Sequence, residues 1–174
     1  MLEILLLRHG IAQELQPGLL DHDRALTQPG RLRSRAVVER LIAMELHCQG
    51  IFSSSLLRAR QTAQIAVEAG LLLPGGQCQI EPGLAPGADA RAPGADGWAL
   101  VQRLRQQVCC DGLALSSRWA LVGHEPDLGD LAALLIGAPA GTIPLKKAGI
   151  ALLQLGPGAA QLRLLMAPRQ ILAG

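Results

Sequence analysis

At 174 residues, with 49% hydrophobic and 17% charged side chains, the chain has the length of one domain and enough apolar residues for a packed core, which excludes intrinsic disorder. A net charge of +2 from 16 basic and 14 acidic residues predicts no clustered basic face for nucleic acid, and 2% aromatic residues leave no stacking platform for single strands. Mean hydropathy is +0.28, yet the most apolar stretch, Leu131 to Leu145, is shorter than the roughly 18 residues of a membrane span and is interrupted by Gly137, Pro139, Gly141 and Pro144.

The first element is a short continuous apolar run, Ile4-Leu5-Leu6-Leu7, closed by Arg8-His9-Gly10. Such a run suits a strand buried on both faces. No basic segment or small-residue cleavage site accompanies it, so it is not read as a signal peptide. Thr27 starts a helix in which Leu32, Ala36, Val37, Leu41 and Met44 recur at three- and four-residue spacings, with Arg33, Arg35 and Glu39 outward. His47 is expected at the end of this helix, as a favourable charge. Ile51-Phe52-Ser53 reads as a second strand. Ser53-Ser54-Ser55 offers N-caps for a helix over Leu56–Ala69, with Gly70 as its C-terminal stop.

Cys78 to Glu81 reads as a weaker third strand. A Gly-, Ala- and Pro-rich loop follows, with a small repeat: Ala85-Pro86-Gly87-Ala88-Asp89 and Ala92-Pro93-Gly94-Ala95-Asp96. It is expected to be irregular surface chain that forms no lid. Asp96 is expected to cap a third helix reaching about Val108, with Trp98, Val101, Leu104 and Val108 on one face. Trp119 to Gly123 is a further buried strand, ended by His124. Pro126 and Asp127 open a helix carrying Leu128, Leu131, Leu134 and Leu135. Ile150–Leu155 and Leu162–Met166, joined by Gly156-Pro157-Gly158, predict an antiparallel hairpin at one sheet edge. Strand runs alternating with helical patterns make this an α/β chain, and residues 1–174 are expected to form a single domain.

The cysteines Cys48, Cys78, Cys109 and Cys110 show neither a C-x-x-C pair nor zinc-ligand spacing. They are expected as reduced thiols, mostly filling core space, in a cytoplasmic protein. Only Lys146 and Lys147 among the 16 basic residues are lysines, which we read as composition bias. His22, between Asp21 and Asp23, is read as a solvated loop residue rather than a metal ligand.

Polar residues gather at three strand ends: Arg8-His9-Gly10, Ser53-Ser54-Ser55 with Arg58, and Gly123-His124-Glu125. Open α/β sheets bind ligands beyond the carboxyl ends of their strands, so these groups can meet in one pocket. Each alone has a structural reading: a turn, a solvated helix arginine, a satisfied buried histidine. Together they make an anion site suited to phosphate, because guanidinium forks and a helix N-terminus both present N–H donors to its oxygens.

The sequence here resembles the histidine phosphatase superfamily. Leu5-Leu6-Leu7-Arg8-His9-Gly10 is similar to its signature. Asp23-Arg24-Ala25-Leu26-Thr27-Gln28-Pro29-Gly30 is similar to a D-x-x-L-T-x-x-G block. Ser54 to Ala63, reading Ser-Ser-Leu-Leu-Arg-Ala-Arg-Gln-Thr-Ala, resembles S-x-x-x-R-x-x-Q-T-A. Leu121 to Pro126 resembles the block around the second histidine. The resemblance spans residues 1 to about 136. It implies a three-layer, phosphoglycerate mutase-like fold, with a mostly parallel sheet, helices on both faces and little or no lid insertion. The short stretch between Arg58 and His124, and Leu84-Ala85-Pro86 where many relatives carry L-x-E, are most similar to the SixA-type phosphohistidine phosphatases.

The resemblance implies that His9 is the nucleophile, that Arg8, Arg58 and His124 hold the phosphoryl oxygens, and that Arg24 is a further substrate-binding residue. It implies no cofactor and no metal. The implied partner is a phosphohistidine-bearing protein such as a phosphotransfer domain, with neither nucleic acid nor membrane involved. The missing carboxyl has a chemical reading: an alkoxide leaving group needs an acid, whereas imidazole leaves readily without one. Asp89 and Glu125 remain alternative acids. A small-molecule phosphomonoesterase and a non-catalytic phosphate-binding module remain open beside the phosphohistidine phosphatase.

Overall fold

Apolar runs without a helical period become strands here because helices cover both of their faces. The computed structural model describes residues 1–87, 96–110 and 117–173. In chain order the elements are β1 (Leu2–Arg8), α1 (Gln28–Ala43), β2 (Cys48–Ser53), α2 (Leu57–Ala69), β3 (Leu72–Ile80), α3 (Asp96–Cys110), β4 (Ser117–Gly123), α4 (Asp127–Ile136), β5 (Ile150–Leu155), β6 (Gln161–Met166) and α5 (Pro168–Leu172). Two 3-10 turns, Asp21–Asp23 and Pro82–Leu84, lie in the connections.

The six strands form one sheet in the order β3-β2-β4-β1-β5-β6. β1, β2, β3 and β4 pair in parallel, while β5 runs antiparallel to both β1 and β6. The chain steps toward one edge from β1 to β2 to β3 and then turns back to β4. Parallel crossovers are right-handed, so that reversal puts the later helices on the other face. Leu5, Leu7, Ile51, Ala120 and Val122 accordingly pack with Val37, Val38 and Leu41 of α1, Ala59, Ala63 and Ala66 of α2 and Ile171 of α5. Leu2, Ile4, Leu6 and Leu121 pack on the opposite face with Leu100, Val101 and Leu104 of α3 and Leu128, Leu131 and Leu135 of α4. Each fully buried Leu or Ile in these layers contributes on the order of 2 kcal/mol. No helix among the described residues is long and apolar enough to cross a membrane.

The mostly parallel sheet with helices on both faces and the edge hairpin follow the sequence reading. Four details differ. Leu32 is 64% exposed and Met44 37% exposed, while Ser34 and Val38 are buried, so the inner stripe of α1 is rotated and built partly of small residues. β3 starts at Leu72, six residues before the predicted start, and runs through Pro74, Gly75 and Gly76; an edge strand tolerates such residues. α2 has Leu56 at its N-cap with no side-chain cap, so the serines before it have another use. His47 lies beyond the end of α1 and pairs through Nδ1 with the Gly70 carbonyl at 3.1 Å, at the end of α2. Gly70 itself is left-handed at φ 93°, as the helix stop requires. Residues 88–95 and the side chains of Asp96, Cys109 and Cys110 lie outside the described residues, and with them the second repeat copy, Asp89 and much of the expected loop. Of the other two cysteines, Cys48 is buried and Cys78 exposed.

Candidate active site

Sheet register is what gathers the polar strand ends. Arg8 pairs with Gly123, and Ser53 with Val122, so β1, β4 and β2 end at one level. The ladder then continues one step: His9 N–H donates to the Gly123 carbonyl at 3.0 Å, and Ser54 N–H to the Val122 carbonyl at 2.9 Å. The rings of His9 and His124 therefore come together, with centroids 4.9 Å apart and planes tilted by 52°. Both are buried, at 6% and 2% exposure.

The segment after His9 is held by side chains of α2 and by the start of α1. Gly10 N–H donates to Thr62 Oγ1 at 3.2 Å, and that hydroxyl donates to the Arg58 carbonyl at 2.8 Å. Leu26 N–H donates to Gln61 Oε1 at 2.7 Å. Thr27 caps α1 by accepting from Gly30 N–H at 3.1 Å. A Cβ on Gly30 would overlap the Ile11 carbonyl oxygen, and one on Gly10 would overlap Ser34 Oγ. Glycine at these two positions lets the helix start lie directly against the histidine loop.

His9 Nδ1 lies 2.7 Å from the Gly10 carbonyl oxygen. A carbonyl only accepts, so Nδ1 carries the proton and the Nε2 lone pair is free for attack. Burial pushes the His9 pKa down to about 4, with the Gly10 carbonyl opposing and the charges of Arg58, Arg8 and Lys147 adding to the fall. His124 is pushed down to about 3, first by burial and then by His9 and Arg58. Both rings are neutral at pH 7. His124 Nε2 pairs with Ser54 Oγ at 2.8 Å, and that hydroxyl oxygen accepts from Leu56 N–H at 3.3 Å, which leaves its own proton for the ring. Ser54 thus serves the second histidine.

Arg8 Nη1 donates to the Leu145 carbonyl at 2.7 Å. The loop from Leu145 to Gly149 is fastened to the end of β1, since Ala148 N–H reaches the carbonyls of Arg8 and His9 at 3.1 Å each. Arg58 is 5% exposed. Its Nη1 donates to the Asp21 carbonyl at 2.7 Å and its Nη2 to Asp21 Oδ2 at 3.0 Å. Arg24 donates through Nη1 to Asp21 Oδ1 at 2.8 Å and through Nε to the Gln13 carbonyl at 2.6 Å. The structure therefore brings His9, His124, Arg8 and Arg58 into mutual electrostatic reach. Arg24 meets Arg58 through a shared carboxylate. Two buried nitrogens of the cluster, Arg8 Nε and His124 Nδ1, have no protein partner.

Glu125 Oε1 accepts from Leu145 N–H at 3.1 Å, and burial raises its pKa. Glu81 pairs with Arg103 at 2.7 Å. His22 pairs with Asp23 at 3.1 Å on the exposed turn. Among the described residues no cluster of three His, Cys, Asp or Glu side chains could hold a metal. Sequence reasoning missed two residues. Asp21 is the partner of both Arg58 and Arg24; its only sequence signal is a carboxylate three residues before Arg24. Lys147, exposed on the loop fastened to β1, adds its charge at His9. Its signal was the isolation of the two lysines in an arginine-rich chain.

Residues 4–85 match the family model of the histidine phosphatase superfamily (branch 1). An uncharacterized protein of Picosynechococcus sp. is 39% identical over 163 residues, covering 93% of this chain and 89% of that one. Among solved structures, the protein histidine phosphatase SixA complexed with tungstate superposes with a TM-score of 0.74 at 27% identity, over 95% of this chain and 97% of SixA. A mutant phosphoserine phosphatase from Entamoeba histolytica, in complex with phosphoserine, superposes with a TM-score of 0.67 at 16% identity, over 98% and 99% of the two chains. The last of these shares the fold alone.

Proposed function

We propose that this chain, which belongs to the histidine phosphatase superfamily, removes the phosphoryl group from a phosphohistidine on a protein through a phospho-His9 intermediate. One observation carries the reading: a buried, neutral His9 holds its Nδ1 proton on the Gly10 carbonyl and keeps Nε2 free, beside Arg8, Arg58 and His124.

The Nε2 lone pair of His9 attacks phosphorus in line, and the bond from phosphorus to the substrate imidazole breaks. That imidazole takes a proton from water as it leaves. A second water then attacks phospho-His9; the bond from phosphorus to Nε2 breaks, phosphate departs, and His9 returns to its neutral form. Transition-state charge spreads over the three equatorial oxygens. Arg8, Arg58 and His124 face that charge, and the unpartnered Arg8 Nε and His124 Nδ1 are suited to the oxygens, since buried polar groups ordinarily find a partner. Leu84-Ala85-Pro86 carries no carboxylate where many members of the family carry L-x-E, which favours a leaving group that needs no protein acid. The likeness to SixA supports the same substrate class.

The test is turnover by purified protein of a phosphohistidine-bearing phosphotransfer domain beside a panel of phosphomonoesters. A higher kcat/KM on the phosphohistidine protein is expected. A much higher value on a small metabolite phosphate would transfer the assignment to a phosphomonoesterase. Retention of phosphate without turnover would make the chain a binding module.

A further inference from the structure

Arg58 is buried, and a residue with no chemistry in the reaction above determines where its guanidinium lies. Asp21 takes two of its N–H groups, one on the backbone carbonyl at 2.7 Å and one on Oδ2 at 3.0 Å. The other carboxylate oxygen takes Arg24 Nη1 at 2.8 Å. Arg24 is itself fixed by the Gln13 carbonyl, and Gln13 Oε1 accepts from Ala25 N–H at 3.0 Å. One carboxylate thus stands between two guanidinium groups, on a turn closed by its own backbone. The Arg58 side chain is 6% exposed and that of Asp21 49%, so Asp21 approaches Arg58 from the solvent side. The two arginines hold the Asp21 carboxyl below its ordinary pKa, so it stays ionised at neutral pH.

We infer that Asp21 is a positioning residue for Arg58 and that its charge sets how readily the site releases phosphate. The inference rests on the reading of Arg58 as a phosphate ligand. Its two roles have opposite signs for an anion. By fixing the guanidinium plane, Asp21 leaves the remaining N–H groups of Arg58 aligned before the phosphoryl group arrives, so little reorganisation is needed as charge develops. Its own negative charge, bound to the same guanidinium, opposes an anion resting there. At the distances of such a site a unit charge changes anion affinity by about threefold to tenfold in a solvent-screened setting. A residue that only supported the fold would act otherwise: its loss would weaken phosphate binding and turnover together.

The experiment is calorimetric titration of the full chain with inorganic phosphate, paired with kcat and KM on phosphohistidine protein. Asp21→Asn keeps the shape and one acceptor oxygen and removes the charge. It is expected to bind phosphate about threefold to tenfold more tightly and to turn over about tenfold more slowly. Asp21→Glu keeps the charge and is expected to hold the wild-type Kd within about twofold. Asp21→Ser serves as the neutral variant if the Asn protein does not fold. Phosphate binding that weakens in the neutral variant, as it should in Arg58→Ala, overturns the inference; so does an unchanged Kd, or a Glu variant that tightens like Asn. The titration needs no turnover, so it tests the role of Asp21 even in a chain inactive on phosphohistidine.

Discussion

The two faces of the sheet share an apolar layer and differ in which stretches of backbone their polar side chains hold. Against α3 and α4 leucine, isoleucine, valine and alanine side chains fill space, and Glu125 and Asp130 reach the loops that follow α4, accepting from Leu145 N–H at 3.1 Å and from Gly141 N–H at 2.7 Å. Against α1 and α2 the same kind of apolar layer is present, and there the polar side chains fasten the stretch after His9 and the start of α1: Thr62 to Gly10, Gln61 to Leu26, Thr27 to Ile11. Arg58, on α2, belongs to that second face and is fixed by the 3-10 turn that precedes α1. The difference teaches that several residues of the sequence blocks bond to backbone. Thr62 and Gln61 hold the histidine loop, and Gly10 and Gly30 let it lie against α1. Hydrogen bonds need direction as well as proximity, so this face sets the orientation of the histidine loop.

Substitutions can break this contrast in a graded order. The largest effect belongs to His9, the proposed nucleophile: His9→Ala should lower kcat by several orders of magnitude, since a nucleophile and its partners act as a unit. Rapid-quench analysis should find an acid-labile phosphate on the wild type and none on the variant. Substantial turnover by the Ala protein would remove His9 from the mechanism.

A pair of substitutions compares the faces directly. Leu121→Ala, in the layer under α3 and α4, should cost about 2–5 kcal/mol of stability through a cavity and leave phosphate affinity near wild type. Thr62→Val should cost about 1–3 kcal/mol by stranding the Gly10 amide, and should also weaken phosphate binding as the His9 loop loosens. Denaturant melts and phosphate titrations on both proteins give the comparison; equal effects on affinity would dissolve the distinction.

A smaller effect is set by pH. His9 and His124 have folded pKa values of about 4 and 3, below the ordinary 6.5. Between those limits the unfolded chain binds more protons. Stability from the pair is therefore full above about pH 6.5 and is lost as pH falls toward 4, by roughly a few kcal/mol. Tm measured across that range should fall less steeply in His124→Gln than in the wild type. Parallel slopes would contradict the assigned burial.

The smallest effect concerns Lys147, which is exposed and adds a charge at His9. Lys147→Ala should lower kcat/KM by only a few-fold at low salt, with the difference shrinking as salt is added. A salt-independent loss would mean that Lys147 acts by direct contact.

Much of this was legible in the chain. Strands ending in polar residues pointed to a common pocket, and the register of β1, β4 and β2 brings His9, Ser54 and His124 to one level, because parallel strands with short polar ends stop together. What escaped reading has physical causes. The inner stripe of α1 begins with Gly30 and Ser34, chosen for closeness to a loop rather than for hydrophobicity, so the apolar period pointed to Leu32 instead. β3 passes through Pro74 and two glycines, which signal a turn unless the strand is known to lie at an edge. The serines before α2 looked like caps, and the partner that claims Ser54 comes from another strand, seventy residues on. Asp21 is similar: its meaning depends on a loop closing over α2, a contact between residues 37 apart that no local pattern encodes.

The short bond from His9 Nδ1 to the Gly10 carbonyl also fixes an isomer. A ring whose Nδ1 proton is committed can accept a phosphoryl group only on the other nitrogen, so the proposed phospho-His9 is the 3-phosphohistidine and not the 1-phosphohistidine. An antibody that separates the two should stain trapped protein with one specificity alone, and in a nitrogen-15 spectrum the resting ring should show the Nδ1–H tautomer, the rarer of the two for histidine in water.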